Sequence, residues 1–426
     1  MRVYSTQKDS LSDILARKYS ETADVSAVVK KIISRVQSDG DQALYQLIKE
    51  IDHVELASLA VSQSEIAQAL KAVSPELLQV MEQAKENILS FHKKQVRQGF
   101  ISTEPNGVVM GQRILPLACV GVYVPGGTAA YPSTVLMDVL PAKIAGVKKI
   151  VMITPTDKKG NVPAAILAAA SIAGVDEIYK VGGAHGVAAL AYGTETIPKV
   201  DKIVGPGNIY VATAKKMVYG EVDIDMIAGP SDVLIVADKS ANPRWLAADL
   251  LAQAEHDTLA QAILVTTEEA LIEQVQAELA QQLAELPRKK IAEAAIESTG
   301  KIILVEDLTE AISIANQIAP EHLELSVAEP FALLGKVENA GSVFLGHHTP
   351  EVLGDYFAGP NHTLPTEGTA RFYSPLSVDD FVKKSSYLYY TQEAMNEVAS
   401  GVELFAETED LMGHARSMKV RRERKK

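Results

Sequence analysis

From about residue 117 onward the chain alternates short β-branched runs with Ala-rich helical segments, and this alternation limits the fold more than any other feature. The predicted strands are 118–124, 149–154, 177–181, 202–204, 233–237, 262–266, 301–305 and 342–345. Helical patterns fall between them at 133–144, 162–173, 244–256, 268–284 and 308–318. Strands that are apolar at nearly every position are buried on both faces, which is the condition of a parallel sheet covered by helices. Crossovers in such sheets are right-handed, so a doubly wound α/β arrangement follows. At roughly 150 residues per domain, the chain of 426 residues has room for two such units. The first hundred residues read instead as helical, with Val25, Val28, Val29, Ile32, Ile33 and Val36 at helical spacing and a second amphipathic run over 75–96.

Composition excludes several classes. Lys and Arg total 41 against 54 Asp and Glu, a net charge of -13, so the surface as a whole does not suit a phosphate backbone, and no nucleic-acid partner is expected. The longest unbroken apolar stretches, such as 164–170, fall far short of the roughly 18 residues a membrane helix needs. The first twenty residues lack the apolar core of a signal peptide. The lone Cys119 excludes an intrachain disulfide and a multi-cysteine metal cage, and its place in an apolar run reads as a packed, inert thiol. A cytoplasmic chain with no membrane partner is the expectation. The basic tail 419–426 reads as a solvated end.

Three glycine turns follow predicted strands: Val124-Pro125-Gly126-Gly127, Val181-Gly182-Gly183-Ala184-His185-Gly186 and Val204-Gly205-Pro206-Gly207-Asn208. Glycine at such junctions lets the backbone approach a pyrophosphate and aims helix amides at it. None is a clean G-x-G-x-x-G; together they predict a non-standard nucleotide cleft at the carboxyl edge of a sheet.

Of the nine histidines, His53 and His92 lie in charge-rich helical surroundings and read as surface, as does the adjacent pair His347-His348. Gln253 and His256 are three apart in a helical pattern and would share one face. Asp355 and His362 fall in a polar stretch, 339–369, rich in Gly, Pro, His and Asn that reads as an ordered loop. Glu321-His322 follows Pro320 at the start of a short strand, where a carboxylate beside an imidazole can do acid–base chemistry near neutral pH. Imidazole with carboxylate and amide oxygen suits zinc, and also manganese or cobalt.

Taken together these motifs resemble the histidinol dehydrogenase family over nearly the whole chain. The resemblance rests on Ile224-Asp225-Met226-Ile227-Ala228-Gly229-Pro230-Ser231-Asp232 running on to Gln253-Ala254-Glu255-His256, on Val204-Gly205-Pro206-Gly207-Asn208 and on Ala319-Pro320-Glu321-His322-Leu323. Gly354-Asp355-Tyr356 and Gly359-Pro360-Asn361-His362-Thr363-Leu364-Pro365 add to it. It implies NAD-dependent, zinc-requiring oxidation of L-histidinol to L-histidine through L-histidinal, the last step of histidine biosynthesis. By the same likeness one zinc per subunit would be held by Gln253, His256, Asp355 and His414. His322 would be the general base and Glu321 would activate water. Ser231, His362 and Glu409 would line the substrate pocket, with His322 and the metal ligands also reaching the substrate. Tyr123, His185 and Asn208 would contact NAD.

The implied fold is two incomplete Rossmann-like domains with a small N-terminal arm and a C-terminal extension exchanged in a homodimer. The expected bounds are 1–20 for the arm, 21–122 with 233–376 for the domain carrying zinc and the catalytic pair, 123–232 for the NAD domain and 377–426 for the extension. Glu409 and His414 would thereby complete the other subunit's site. The family usually has Gln and Ala where this chain has His185 and Gly186, Glu where it has Asp232, and often Ala where it has Gly413. Two alternatives stand beside this reading: a related zinc and NAD dehydrogenase of another small polar alcohol, of sulfopropanediol type, and a non-enzymatic nucleotide- or metal-binding protein.

Overall fold

The computed structural model describes residues 1–16, 24–126, 131–227 and 229–422; Gly127 and Ala228 of the motifs and the last four residues of the tail lie outside them. The chain divides into two compact units, one of Met1–Gln95 with Leu117–Phe381 and one of Val96–Pro116 with Val382–Lys426. In chain order the strands are β1 (Arg2–Ser5), β2 (Phe100–Thr103), β3 (Val109–Pro116), β4 (Cys119–Tyr123), β5 (Lys149–Ile153), β6 (Glu177–Tyr179), β7 (Lys202–Val204), β8 (Asp223–Ile224), β9 (Asp232–Ala237), β10 (Gln261–Thr266), β11 (Lys301–Leu304), β12 (His322–Ser326), β13 (Ser342–Leu345) and β14 (Val382–Tyr389).

The first unit holds two parallel sheets, ordered β1-β11-β10-β9-β12-β13 and β6-β5-β4-β7-β8. Both are doubly wound. The chain lays down β9, β10 and β11 to one side and then returns to place β12 against the free edge of β9; likewise β4, β5 and β6 run one way and β7 returns beside β4. The switch points therefore lie between β9 and β12 and between β4 and β7.

Why the strands read as continuous apolar runs is visible in the packing. Along β9, Val233, Ile235 and Ala237 enter the core under the helices Pro243–Ala254 and Glu269–Leu283, while Leu234 and Val236 enter the core under Leu308–Ile318 on the opposite face. In β5, Ile150 and Met152 face one core and Val151 and Ile153 the other. Each Val, Leu, Ile or Met among them withdrawn from water contributes about 1.5–3 kcal/mol, and the sheet needs apolar residues at both parities.

The helical reading of the first hundred residues holds for Ser26–Leu47, Gln63–Ala72 and Pro75–His92 but misses β1, a short strand that extends the first sheet beside β11. The run predicted over 177–181 ends as a strand at Tyr179, and the segment 59–61 pairs antiparallel with it, Val61 N donating to Ile178 O (2.9 Å) and Lys180 N to Leu59 O (2.7 Å). His92 is not a surface residue: it has no exposure and its Nδ1 lies 2.7 Å from Gln95 Oε1. Cys119 is half-buried at the start of β4, and burial still pushes its thiol up. The polar stretch 339–369 contains the helix Glu351–Tyr356.

In the second unit β3 pairs antiparallel with β2 and, over eight residues, with β14, a partnership nothing in the local sequence announces. The helices Gln392–Thr408 and Met412–Arg422 follow, the first capped by Thr391, whose hydroxyl accepts from Ala394 N at 3.1 Å. The described part of the basic tail, Lys419 to Arg422, continues the second helix. Among the described residues no helix is long and apolar enough to cross a membrane.

The turn after β7 is pinned by a buried ion pair. Lys215, on the helix Ile209–Val218, pairs with Asp225 and donates to Gly205 O at 2.9 Å, while Gly205 N donates to Asp225 Oδ2 at 2.8 Å. Gly205 has φ +114, and a Cβ there would collide with the carbonyl oxygen of Tyr123. Lys215→Met leaves Asp225 buried without its counter-charge and is expected to lower the unfolding free energy by about 3–5 kcal/mol in urea denaturation.

Candidate functional site

β9 and β12 run side by side in register, His322 opposite Val233, so their first residues meet at the amino ends of the two strands. Asp232 N donates to Glu321 Oε2 at 3.1 Å and Glu321 N donates to Asp232 Oδ1 at 2.5 Å, a reciprocal clasp between the two strand starts. Ala319, in the left-handed region at φ 51, ends the preceding helix and turns the chain through Pro320 into this position. His322 Nδ1 lies 3.2 Å from Asp232 O, and because a carbonyl only accepts, Nδ1 carries a proton there. Nε2 then faces Asp355 Oδ1 at 3.5 Å.

Carboxyl groups surround this ring: Glu321 Oε2 stands 3.8 Å and Glu351 Oε2 3.7 Å from Nδ1. Burial alone would lower the imidazole's proton affinity, but Glu321, Glu351 and Asp355 together raise it well above the ordinary histidine value. Burial pushes Glu321 up to about 7 against the pull of His322, and pushes Glu351 well above the carboxylate range. Asp355 moves the other way: burial would raise it, yet its hydrogen bond and charge contact with His322 hold it below its usual value.

The remaining expected residues of the first unit converge here. With its amide turned to satisfy its neighbours, Gln253 donates to Glu351 Oε1 at 3.1 Å and accepts from Asp232 N at 3.1 Å. The helix carrying it ends at Ala254, so His256 does not continue its helical face; it lies in the turn beyond, His256 N donating to Gln253 O at 3.2 Å. His256 stands at the exposed rim, where partial desolvation lowers its proton affinity against the pull of Asp355. His362 Nδ1 lies 2.9 Å from Asp355 O and donates to it; burial lowers its proton affinity too. Ser231 directly precedes Asp232 and its carbonyl accepts from Gln261 N at 3.0 Å.

A neutral imidazole and an ionised carboxylate are the protonation states a divalent ion requires of its ligands. His256 and Asp355 are driven toward these states, and imidazole, carboxylate and amide oxygen are donor types that suit zinc. Among the described residues no group of three or more His, Cys, Asp and Glu is by itself arranged to hold a metal. Glu409, which ends the helix Gln392–Thr408, and His414, in the helix Met412–Arg422, are exposed residues of the second unit.

The residues expected to meet a nucleotide lie around the carboxyl edge of the second sheet, where β4 and β7 meet at the switch point. The Tyr123 hydroxyl, at the end of β4, accepts from Gly183 N at 3.2 Å, and burial pushes the phenol up to about 12. Asn208 caps the helix Ile209–Val218, its Oδ1 accepting from Tyr210 N and Val211 N, so its carbonyl end is committed to the fold. His185 is buried, with Nε2 3.5 Å from Asp52 Oδ2. Open sheets of this type bind ligands in such crevices.

Sequence reasoning did not single out Glu351, Glu324 or Asp249. Glu324 N-terminally anchors the helix Glu351–Tyr356 by accepting from Glu351 N at 2.8 Å, and it shares a hydrogen bond with Asp249. The only local signal for Glu351 was the proline before it, a helix-start cue inside a stretch read as loop.

Two doubly wound sheets, one carrying glycine turns at its switch point and the other a buried histidine–carboxylate cluster, make an α/β protein with the acid–base groups of an enzyme. A family model described as histidinol dehydrogenase matches residues 15–422. Histidinol dehydrogenase of Listeria innocua is 55% identical over 98% of this chain and 97% of its own length, and that of Clostridium acetobutylicum is 56% identical over 95% and 94%. The crystal structure of histidinol dehydrogenase from Elizabethkingia anophelis superposes with a TM-score of 0.94 at 40% identity, covering 99% of this chain and 98% of that one. The chain belongs to the histidinol dehydrogenase family.

The Asp249–Glu324 pair gives a pH prediction. Burial raises Asp249 to about 6 and Glu324 to about 8, both above their ordinary values, so the native state holds more protons than the unfolded chain across that window. Stability contributed by the pair is fully present below their ordinary values of 3.8 and 4.5 and is lost as pH rises from there through about 6 and 8. Glu324→Gln is expected to flatten this dependence, which urea denaturation at pH 5 and pH 9 measures; an unchanged slope removes the assignment.

Proposed function

We propose that this chain catalyses the NAD-dependent, zinc-requiring four-electron oxidation of L-histidinol to L-histidine through L-histidinal. The observation that carries the reading is His322, its Nδ1 proton held on the Asp232 carbonyl and its Nε2 turned toward Asp355, beside a glutamate poised near neutrality. The neighbouring carboxyl groups favour the protonated ring, so His322 acts as a base from its neutral form, after that proton has left, and then takes up the hydroxyl proton strongly on Nε2. The first oxidation removes a hydride from the carbinol carbon and a proton from the hydroxyl, the proton going to His322. Water then adds to the aldehyde carbon, Glu321 accepting a proton from the water while the protonated His322 returns its proton to the aldehyde oxygen. The resulting gem-diol loses a second hydride and gives a hydroxyl proton to the freed His322, and Glu321 releases its proton to solvent. A carboxyl group with a value of about 7 suits that middle step, because a base acts best when its proton affinity matches the working pH.

When bound, NAD would supply the hydride acceptor in each oxidation, and zinc would supply a Lewis-acid anchor for the substrate. Gln253, His256, Asp355 and His414 would hold the zinc; Ser231, His362 and Glu409 would line the substrate pocket; Tyr123, His185 and Asn208 would border the NAD site. An acidic site matches a substrate carrying an ammonium and an imidazole. A homodimer in which each C-terminal segment brings Glu409 and His414 to the other subunit's site, in the cytoplasm, completes the proposal. A dehydrogenase of another small polar alcohol would keep the base and the nucleotide crevice but has no use for His362 and Glu409 together.

Two NADH should form per L-histidinol consumed, followed at 340 nm against a panel of small alcohols; robust turnover of another alcohol with none of histidinol overturns the assignment. His322→Asn is expected to lose both oxidations by about 10²–10⁴-fold, whereas Glu321→Gln should chiefly slow aldehyde to acid; equal losses in both halves would refute the division of labour. For the dimer, mixing inactive His322→Asn with inactive His414→Asn should restore activity through hybrid sites, and no recovery after confirmed subunit exchange counts against the shared site.

A further inference from the structure

Beneath the switch point of the second sheet lies a buried acid that none of these steps uses. Asp138, on the helix Pro132–Ala145, has no exposure. Its Oδ1 accepts a hydrogen bond from the Thr363 hydroxyl at 2.8 Å, while Oδ2 has no partner among the described residues. Oδ2 is directed at the turn after β7, where a Cβ built on Gly205 would stand 3.2 Å from it. One residue earlier on the same helix, Met137 O accepts from the Asn361 side-chain amide at 2.6 Å. Asn361 Oδ1 accepts in turn from Thr363 N at 2.8 Å. Consecutive residues of one helix therefore grip both neighbours of His362, from which the Asp355 carbonyl also accepts a hydrogen bond.

The surroundings keep this acid uncharged near neutrality. Burial pushes Asp138 up to about 8, against the Thr363 hydrogen bond and the Lys215 charge and with help from Asp225. Asp225 already carries the negative charge that neutralises Lys215, and a second carboxylate beside it would have no counter-ion.

We propose that Asp138 is a positioning residue that holds His362, through Thr363 and Asn361, at a set place relative to the Gly205 turn, so that the substrate side and the nucleotide side of the reaction stay in register. The proposal rests on the reading above, in which His362 borders the substrate and the Gly205 turn borders the nucleotide. Its physical basis is the steepness of group transfer with distance: reacting atoms must approach to about 3–3.5 Å, and a misplacement of about 1 Å costs on the order of 10²-fold.

The test compares Asp138→Asn, which keeps an uncharged acceptor oxygen for Thr363, with Asp138→Ala and Thr363→Val, which remove the link from either end. Asp138→Ala and Thr363→Val should each lower kcat by about 10²-fold with KM for NAD and zinc content unchanged, and the double variant should be no worse than either single one, as expected of two ends of one contact. Asp138→Asn should restore kcat. The His362 ring proton resonance, which reads that side chain without any turnover, should move in Asp138→Ala and not in Asp138→Asn. Wild-type kcat in folded Asp138→Ala, equal loss in Asp138→Asn, or losses that multiply in the double variant would each overturn the proposal. Should Asp138→Ala fail to fold, Thr363→Val decides: full kcat there overturns it equally. A wild-type enzyme inactive on histidinol would sink the functional reading instead, and the His362 resonance would still judge the positioning.

Discussion

The site depends on one buried imidazole whose charge lets several acids share a space from which water is excluded. An isolated buried carboxylate costs several kcal/mol of lost hydration, and Glu321, Glu351 and Asp355 all lie within 3.8 Å of a His322 nitrogen. At such distances an opposite charge is worth about 4 kcal/mol near a protein surface and more inside. Asp355 stays ionised against its own burial, while Glu351 responds chiefly to burial and is driven toward its neutral form. Different environments thus assign different protonation states to chemically similar groups, which is the condition for acid and base roles to coexist.

The two sheets share a topology and use opposite ends of it. In the second sheet the carboxyl edge at the β4–β7 switch carries glycine turns. In the first sheet the corresponding edge is closed: His347 bridges the Ser326 hydroxyl (2.9 Å) and the Ser240 hydroxyl (3.0 Å), and Asp238 ties Ser240 and Ala328 N into the same network. His347 is therefore a half-buried crosslink rather than a bare loop histidine. The chemistry of the first sheet gathers at the amino ends of β9 and β12, where reciprocal Asp232–Glu321 hydrogen bonds set the geometry of the pair.

Much of the fold was legible before any coordinate. The strands at Lys202–Val204 and Ser342–Leu345 and the helix Leu308–Ile318 fall on their predicted bounds, because short apolar runs set off by polar or glycine residues and the 3.6-residue period of an amphipathic helix are both visible along the chain. What escaped was held by partners distant in sequence. β1 is a short edge strand with Val3 exposed, and β3 and β14 find each other across more than 260 residues, with neither showing a strong pattern alone. His92 misled because a charged neighbourhood along the chain is no measure of burial in space.

The sequence by itself determined the class of fold, the strand–helix order, the glycine turns and the family, since these depend on local periodicity, on backbone permissiveness and on motifs contiguous in the chain. Only the tertiary structure decided which groups share a cavity and in what state of charge. Glu324 and Glu351 lie 27 residues apart yet are joined through a backbone amide, and Thr363 reaches Asp138 across 225 residues. Burial and proximity, which set proton affinities, are properties of the packed molecule, and no reading of neighbours along a chain contains them.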